Sequence, residues 1–232
     1  MGLSTLQPFL LYPDVPVLPG AGLTQAAVWL NWTLVLVTAS LWLGRPLMTR
    51  LRWVVALLVM AWALSTGVWW PPYSPVYWLG LAFQNLSFTS TLCCLVYLAR
   101  QVRLLLVPMR EVPAPDAVAT GWCDPGWVLA GAGVLLGWLL VLDLLAWWPA
   151  SLYAWGFGTA ASTFVAVLVA VFWLWRGRSP GAHHGMTLLA IVMLLFVLTR
   201  LPSGNVWDAL LDPWLWIVLQ MRLARHIWGG PG

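Results

Sequence analysis

Residues 53–99 read WVVALLVMAWALSTGVWWPPYSPVYWLGLAFQNLSFTSTLCCLVYLA, 47 residues without one charge. A helix rising 1.5 Å per residue crosses the hydrocarbon core of a bilayer in about 20 residues. The stretch is therefore too long for one crossing and long enough for two. Its middle, Trp70-Pro71-Pro72-Tyr73-Ser74-Pro75, is a turn signal. Proline lacks the amide hydrogen that a helix interior needs, and it biases the residue before it away from helix. The segment predicts two antiparallel spans, near 52–70 and 76–99.

The same reading extends outward. No charge occurs between Asp14 and Arg45, which places a span near 22–44. Gly126 to Trp175 is apolar apart from Asp143 and is interrupted at Trp148-Pro149-Ala150-Ser151, which predicts spans near 126–148 and 151–175. Two shorter apolar runs predict spans near 185–202 and 206–221, with a loop over 176–184 between them and the fifth span. The alternative for the last pair is six spans plus a re-entrant segment. Residues 1–21 carry no positive charge and hold Pro8, Pro13, Pro16 and Pro19, so they read as an irregular external lead-in, not a signal peptide. The bundle then covers 22–225, with a linker at 100–125 and a short tail at 226–232.

Composition agrees. Of 232 residues, 62% are hydrophobic and 8% charged, against about 25% charged in a soluble domain. Such a chain cannot clothe itself in a water-facing surface. A soluble enzyme, a nucleic-acid module, a disordered chain and a secreted disulfide scaffold are excluded. The fold class expected is all-α, a polytopic transmembrane bundle of seven helices in a tryptophan-rich chain; there are 20 tryptophans.

Arginine distribution sets the expected orientation, because basic loops stay in the cytoplasm. Seven crossings put Arg45, Arg50, Arg52, Arg100, Arg103, Arg110, Arg176, Arg178, Arg222 and Arg225 on one side and Arg200 alone on the other. The N-terminus is thus expected outside, the C-terminus inside, and the location a cell inner membrane. Trp69, Trp70 and Trp78 flank one external turn, and Trp147, Trp148 and Trp155 flank the other, at the depth amphipathic rings favour.

Several chemistries are absent from the chain. All 11 basic residues are arginine, so no lysine is present for a Schiff base or a phosphate-binding loop. Cys93, Cys94 and Cys123 have no metal-site spacing, and Cys93-Cys94 read as small buried hydrophobes. His183, His184 and His226 lie outside the apolar runs, which argues against paired haem ligands. No catalytic, cofactor-binding or metal residues are expected, and no cofactor. The expected partners are the lipid bilayer and other membrane subunits, not nucleic acid.

Two polar groups stand out within the apolar segments. Gln84, Asn85, Ser87, Ser90 and Thr91 would lie on one helix and should face protein, either as helix–helix hydrogen bonds or as a cavity wall. Asn31 and Thr33 in the first span read as packing partners of the same kind. Asp143, Asp208 and Asp212 are the acids inside apolar segments, where charge is costly. Asp208 and Asp212 are four residues apart, one turn of a continuous helix, and would share a face. With Arg200 they form a candidate outer polar cluster. It reads either as a structural clamp or as a site for a cation, proton or headgroup.

Residues 207–217, WDALLDPWLWI, resemble the seventh helix of rhodopsin-like receptors in its Asp-Pro-Trp variant. The resemblance covers about a dozen residues, and the third span keeps only Arg100 of the acidic-Arg-Tyr pattern. Asn205-Val206-Trp207-Asp208 is similar to the Asn-x-x-Asp element of lipoprotein signal peptidases, which implies a pair of aspartates activating water; that family's other motifs are missing here. The reading that follows is a non-catalytic membrane-embedded accessory subunit or small permease. An intramembrane aspartate-dyad hydrolase is the alternative, and a seven-helix receptor a weaker one.

Overall fold

The computed structural model describes residues 18–69, 71–106, 126–147, 151–176 and 180–228. The beginning of the lead-in, most of the linker with Cys123, and residues 229–232 lie outside the described residues. Among the described residues every regular element is helical: α1 Ala21–Leu43, α2 Thr49–Trp69, α3 Pro75–Phe83, α4 Phe88–Leu106, α5 Gly126–Leu144, α6 Leu152–Trp155, α7 Thr159–Arg176, α8 Pro180–Thr199, α9 Val206–Leu210 and α10 Pro213–Trp228. A single 3₁₀ turn, Pro71–Tyr73, precedes α3. Among the described residues three helices are long and apolar enough to cross a membrane, within Ala21–Leu43, Thr49–Thr66 and Phe88–Leu106; Val128–Leu144, Thr159–Leu174 and Gly185–Thr199 are shorter apolar helices.

The structure differs from the sequence reading at four places, three of them expected continuous helices. The 76–99 segment is two helices, interrupted over residues 84–87, because Gln84 turns to φ 57° and ψ −138° and closes α3. The 206–221 segment is also two helices. Leu211 is extended, with φ −140° and ψ 133°, ahead of Pro213, which starts α10. Proline tolerates a first helical turn and disfavours helix at the residue before it, so α10 restarts cleanly there. The 151–175 segment opens with the four-residue α6 before α7 begins at Thr159. The loop expected over 176–184 is shorter, because α8 starts at Pro180 and takes in residues 183 and 184.

The chain divides into two compact units, one of Gly20–Leu86 with Thr91–Pro113, the other chiefly Ala114–Gly232 with Ser87–Ser90. In the first, Trp32, Ala63, Val76 and Leu86 form one buried cluster, and Val37, Leu41 and Ala56 form another, with Trp53, Tyr97 and Leu98 packed on it. Helix α3 approaches α1 closely at Gly80, where an added Cβ would stand 2.6 Å from Val28 Cγ1. In the second unit, Ala161, Val165 and Val169 repeat every four residues along α7 and bury one stripe against Met193 and Phe196 of α8 and Val206, Trp207 and Ala209 of α9. Outward faces stay apolar: Leu58, Leu135, Leu194 and Leu198 are all exposed. A helix that is apolar all round suits lipid, since hydrocarbon penalises an exposed leucine no more than the protein interior does.

Candidate functional site

The site begins with Asp212. It sits between α9 and α10 as the N-cap of α10: Oδ1 accepts the Leu215 amide at 2.8 Å, and the Asp212 carbonyl accepts the Trp216 amide at 2.9 Å. The other carboxylate oxygen serves a different helix. Oδ2 accepts the Ser87 amide at 3.0 Å and the Ser87 hydroxyl at 2.7 Å. Ser87 in turn caps α4, its Oγ accepting the Ser90 amide at 3.1 Å. One carboxylate thus lies against two helix N-termini, where unpaired amides and the helix dipoles favour negative charge. Ser87 is fully buried and Asp212 is 7% exposed. Burial of a charge this deep is tolerable only with such a complement of donors.

Asp143, at the end of α5, is half-buried and serves the start of α6. Its Oδ1 accepts the Leu152 amide at 3.0 Å and Oδ2 the Tyr153 amide at 2.7 Å, with the Ser151 hydroxyl at 3.4 Å. Asp208 accepts the Tyr153 hydroxyl at 2.8 Å and also the Ser203 hydroxyl. Tyr153 therefore touches both acids, Asp143 with its backbone and Asp208 with its ring. It precedes the apolar part of α7.

Asn205 completes this network from a fully buried position. Its Oδ1 caps α9 by accepting the Trp207 amide at 3.0 Å, and its Nδ2 donates to the Tyr153 carbonyl at 2.9 Å. The Trp207 indole donates to the Leu152 carbonyl at 2.9 Å. Gly156 is required here: an added Cβ would collide with Asn205 Oδ1 and the Trp207 ring.

The four residues of the outer cluster are thus distributed as follows. Asp143 and Asp208 meet at Tyr153. Asp212 does not join them, because the break at Leu211 removes the one-turn relation that would have put it on the Asp208 face, and it goes to Ser87 instead. Arg200 makes no ion pair among the described residues; its guanidinium lies over the Phe196 ring, 5.3 Å from the centroid. It holds a left-handed backbone, φ 56°, beyond the end of α8.

The five polar residues of the third segment are not one helical face either. The exposed Gln84 contributes its carbonyl, which accepts the Trp32 indole N–H at 2.8 Å. Asn85 Oδ1 accepts Asn31 Nδ2 at 2.7 Å and the Leu86 amide at 3.1 Å. Ser87 bonds Asp212, Ser90 donates its amide to Ser87, and Thr91 is half-buried within α4. The sequence reading missed Ser87 as a helix start, although a serine opening an apolar run is a capping signal. It also missed Tyr153 and Ser203, for which no local signal exists.

Among the described residues, no group of three or more His, Cys, Asp or Glu side chains comes together as metal ligands would. No known protein family, curated protein or solved structure matches the chain.

Proposed function

We propose that the chain is a multi-pass protein of the cell inner membrane, crossing seven times with its C-terminus in the cytoplasm, and that it is a non-catalytic accessory subunit. The observation that carries this reading is the use made of its acids. Asp143 and Asp212 spend their carboxylates on helix starts, and Asp208 takes two hydroxyls. A general acid or base must be within reach of a proton to exchange, whereas these oxygens are committed to the fold. A hydrolytic aspartate dyad, here Asp143 with Asp208 or Asp212, needs two carboxylates sharing one proton; Asp143 and Asp208 instead meet through Tyr153, each on its own donors, and Asp212 goes to Ser87 and Leu215. The exposed leucines at lipid depth supply the surface on which an accessory subunit meets its complex.

The interrupted helices favour a second reading, a small permease. Broken membrane helices whose N-termini and unwound backbone line a site are a feature of transporters. Here Asp212 itself occupies the two N-termini. Photocrosslinking in native membranes separates the readings. A photoreactive residue placed at Leu135 or Leu194 should give one discrete adduct with a second membrane protein. Lipid adducts alone at every such position, from a chain that purifies as a monomer, would overturn the accessory reading.

A further inference from the structure

The arginine-rich end of the unit formed by α1, α2 and the body of α4 holds donors that the fold leaves unmet. The stem of Arg52 lies beside Gly44, at the end of α1, where an added Cβ would stand 3.0 Å from its Cγ. Its Nη2 donates to Gln101 Oε1 of α4 at 3.0 Å. Its Nε is buried with no acceptor among the described residues, and the same is true of the indole N–H of neighbouring Trp53 and of the Tyr97 hydroxyl. Trp53 and Tyr97 pack on the same cluster, Val37, Leu41 and Ala56, and Tyr97 lies one helical turn before Gln101.

Native proteins pair more than nine in ten buried polar groups, and an unmet donor destabilises by roughly 1–3 kcal/mol. Three unmet donors on adjoining turns of α2 and α4, one of them the guanidinium's own Nε, therefore call for an acceptor from outside the chain. Water could accept, but it would leave the charge of Arg52 uncompensated, since Arg52 has no carboxylate partner among the described residues. The acceptor that meets both needs is an anion offering several oxygens. Arg52 is held by a single hydrogen bond on a flexible stem, so it can turn to admit one. Arg45 and Arg50 lie at the same end, and the Arg45 guanidinium lies over the Trp42 ring. On the membrane reading, the arginine-bearing ends of these helices stand at the level of the lipid phosphates, and basic pockets between spanning helices bind such groups.

The geometry points to a phosphate-binding site formed by Arg52, Trp53 and Tyr97, with the headgroup phosphate of an anionic phospholipid as its occupant. It is independent of the accessory or permease reading and rests only on the membrane location of these helices.

The test is native mass spectrometry of the full chain in mild detergent, titrated with phosphatidylglycerol, with phosphatidylcholine and with inorganic phosphate. Phosphatidylglycerol should be retained in preference to phosphatidylcholine. Arg52→Gln should weaken retention about tenfold and Tyr97→Phe about threefold, the scale of losing a charged and a neutral hydrogen bond. Arg45→Gln removes the same charge without touching the three donors and should change retention less than about twofold. Tyr97→Phe deletes only an unpartnered hydroxyl, so it reports even where Arg52→Gln fails to fold. If inorganic phosphate displaces the lipid, the site holds and its occupant is the free ion; if it does not, the lipid is the occupant. Equal retention of the two lipids with no response to phosphate, or equal effects of Arg45→Gln and Arg52→Gln, would overturn the site in favour of buried water or diffuse charge attraction.

Discussion

The Asp212–Ser87 contact joins two helix starts, and its strength can be worked from the donors involved. Asp212→Ala strands three: the Leu215 amide, the Ser87 amide and the Ser87 hydroxyl. Losing an N-cap costs about 0.5–2 kcal/mol. Leaving a buried donor unmet costs roughly 1–3 kcal/mol each, less where the hydroxyl can rotate to another acceptor. The sum is roughly 2–8 kcal/mol, large against a total stability of about 5–15 kcal/mol. Asp212→Asn keeps one acceptor oxygen and turns the other position into a donor facing a donor, so it should fall between Ala and wild type. Ser87→Ala removes the hydroxyl and the cap of α4 while leaving the Ser87 amide bonded, about 1–2 kcal/mol. The assay is reversible unfolding in mixed micelles, titrated with a denaturing detergent, on the two single variants and the double. Groups in direct contact should show a coupling of about 1–3 kcal/mol. Strict additivity of Asp212→Ala and Ser87→Ala would mean that the two caps are independent, and the argument for a shared carboxylate would fail.

Four further outcomes can be checked, three from the geometry and the last from the arginine distribution. Gln84→Gly should stabilise by about 1 kcal/mol, since the φ of 57° strains a side chain whose role here is carried by its carbonyl; a fall in melting temperature would show that the Gln84 side chain matters. Gly156→Ala should destabilise by about 1–3 kcal/mol through overpacking against Asn205 and Trp207, whereas Gly131→Ala in α5, with open space around it, should be neutral or gain up to about 1 kcal/mol; equal effects would refute the close-packing account. Arg200→Gln should cost no more than about 1 kcal/mol, the scale of its contact with Phe196, and should not restore the folding yield lost in Asp143→Asn; rescue in the double variant would revive an ion pair. A reporter fused after Gly232 should be active only in the cytoplasm, and external activity would reverse the orientation.

Much of the architecture was legible because its causes are local. A charged fraction of 8% leaves too little polar surface for a soluble domain, and long charge-free runs favour helices, three of which, among the described residues, are long and apolar enough to cross a membrane. The turn before Pro75 and the start of α1 follow from proline and from the limits of a charge-free run. The break between α9 and α10 was also present in the sequence as Asp212-Pro213, but the apolar run around it reads as one helix unless the proline is given precedence.

What each acid does was decided only in three dimensions. Asp208 and Asp212 carry the same side chain four residues apart, and a helical pattern assigns them one role. The fold sends the first to Tyr153 and Ser203 and the second to Ser87, 125 residues away in the chain. The interruption at 84–87 is of the same kind: Gln84 is an ordinary helix former, and its left-handed conformation is sustained by the Trp32 indole on its carbonyl and by Asn31 on the next residue. Periodicity reports which face of a segment avoids water. It carries no information about which distant donor will meet a buried carboxylate, because that partner is brought there by the packing of other helices.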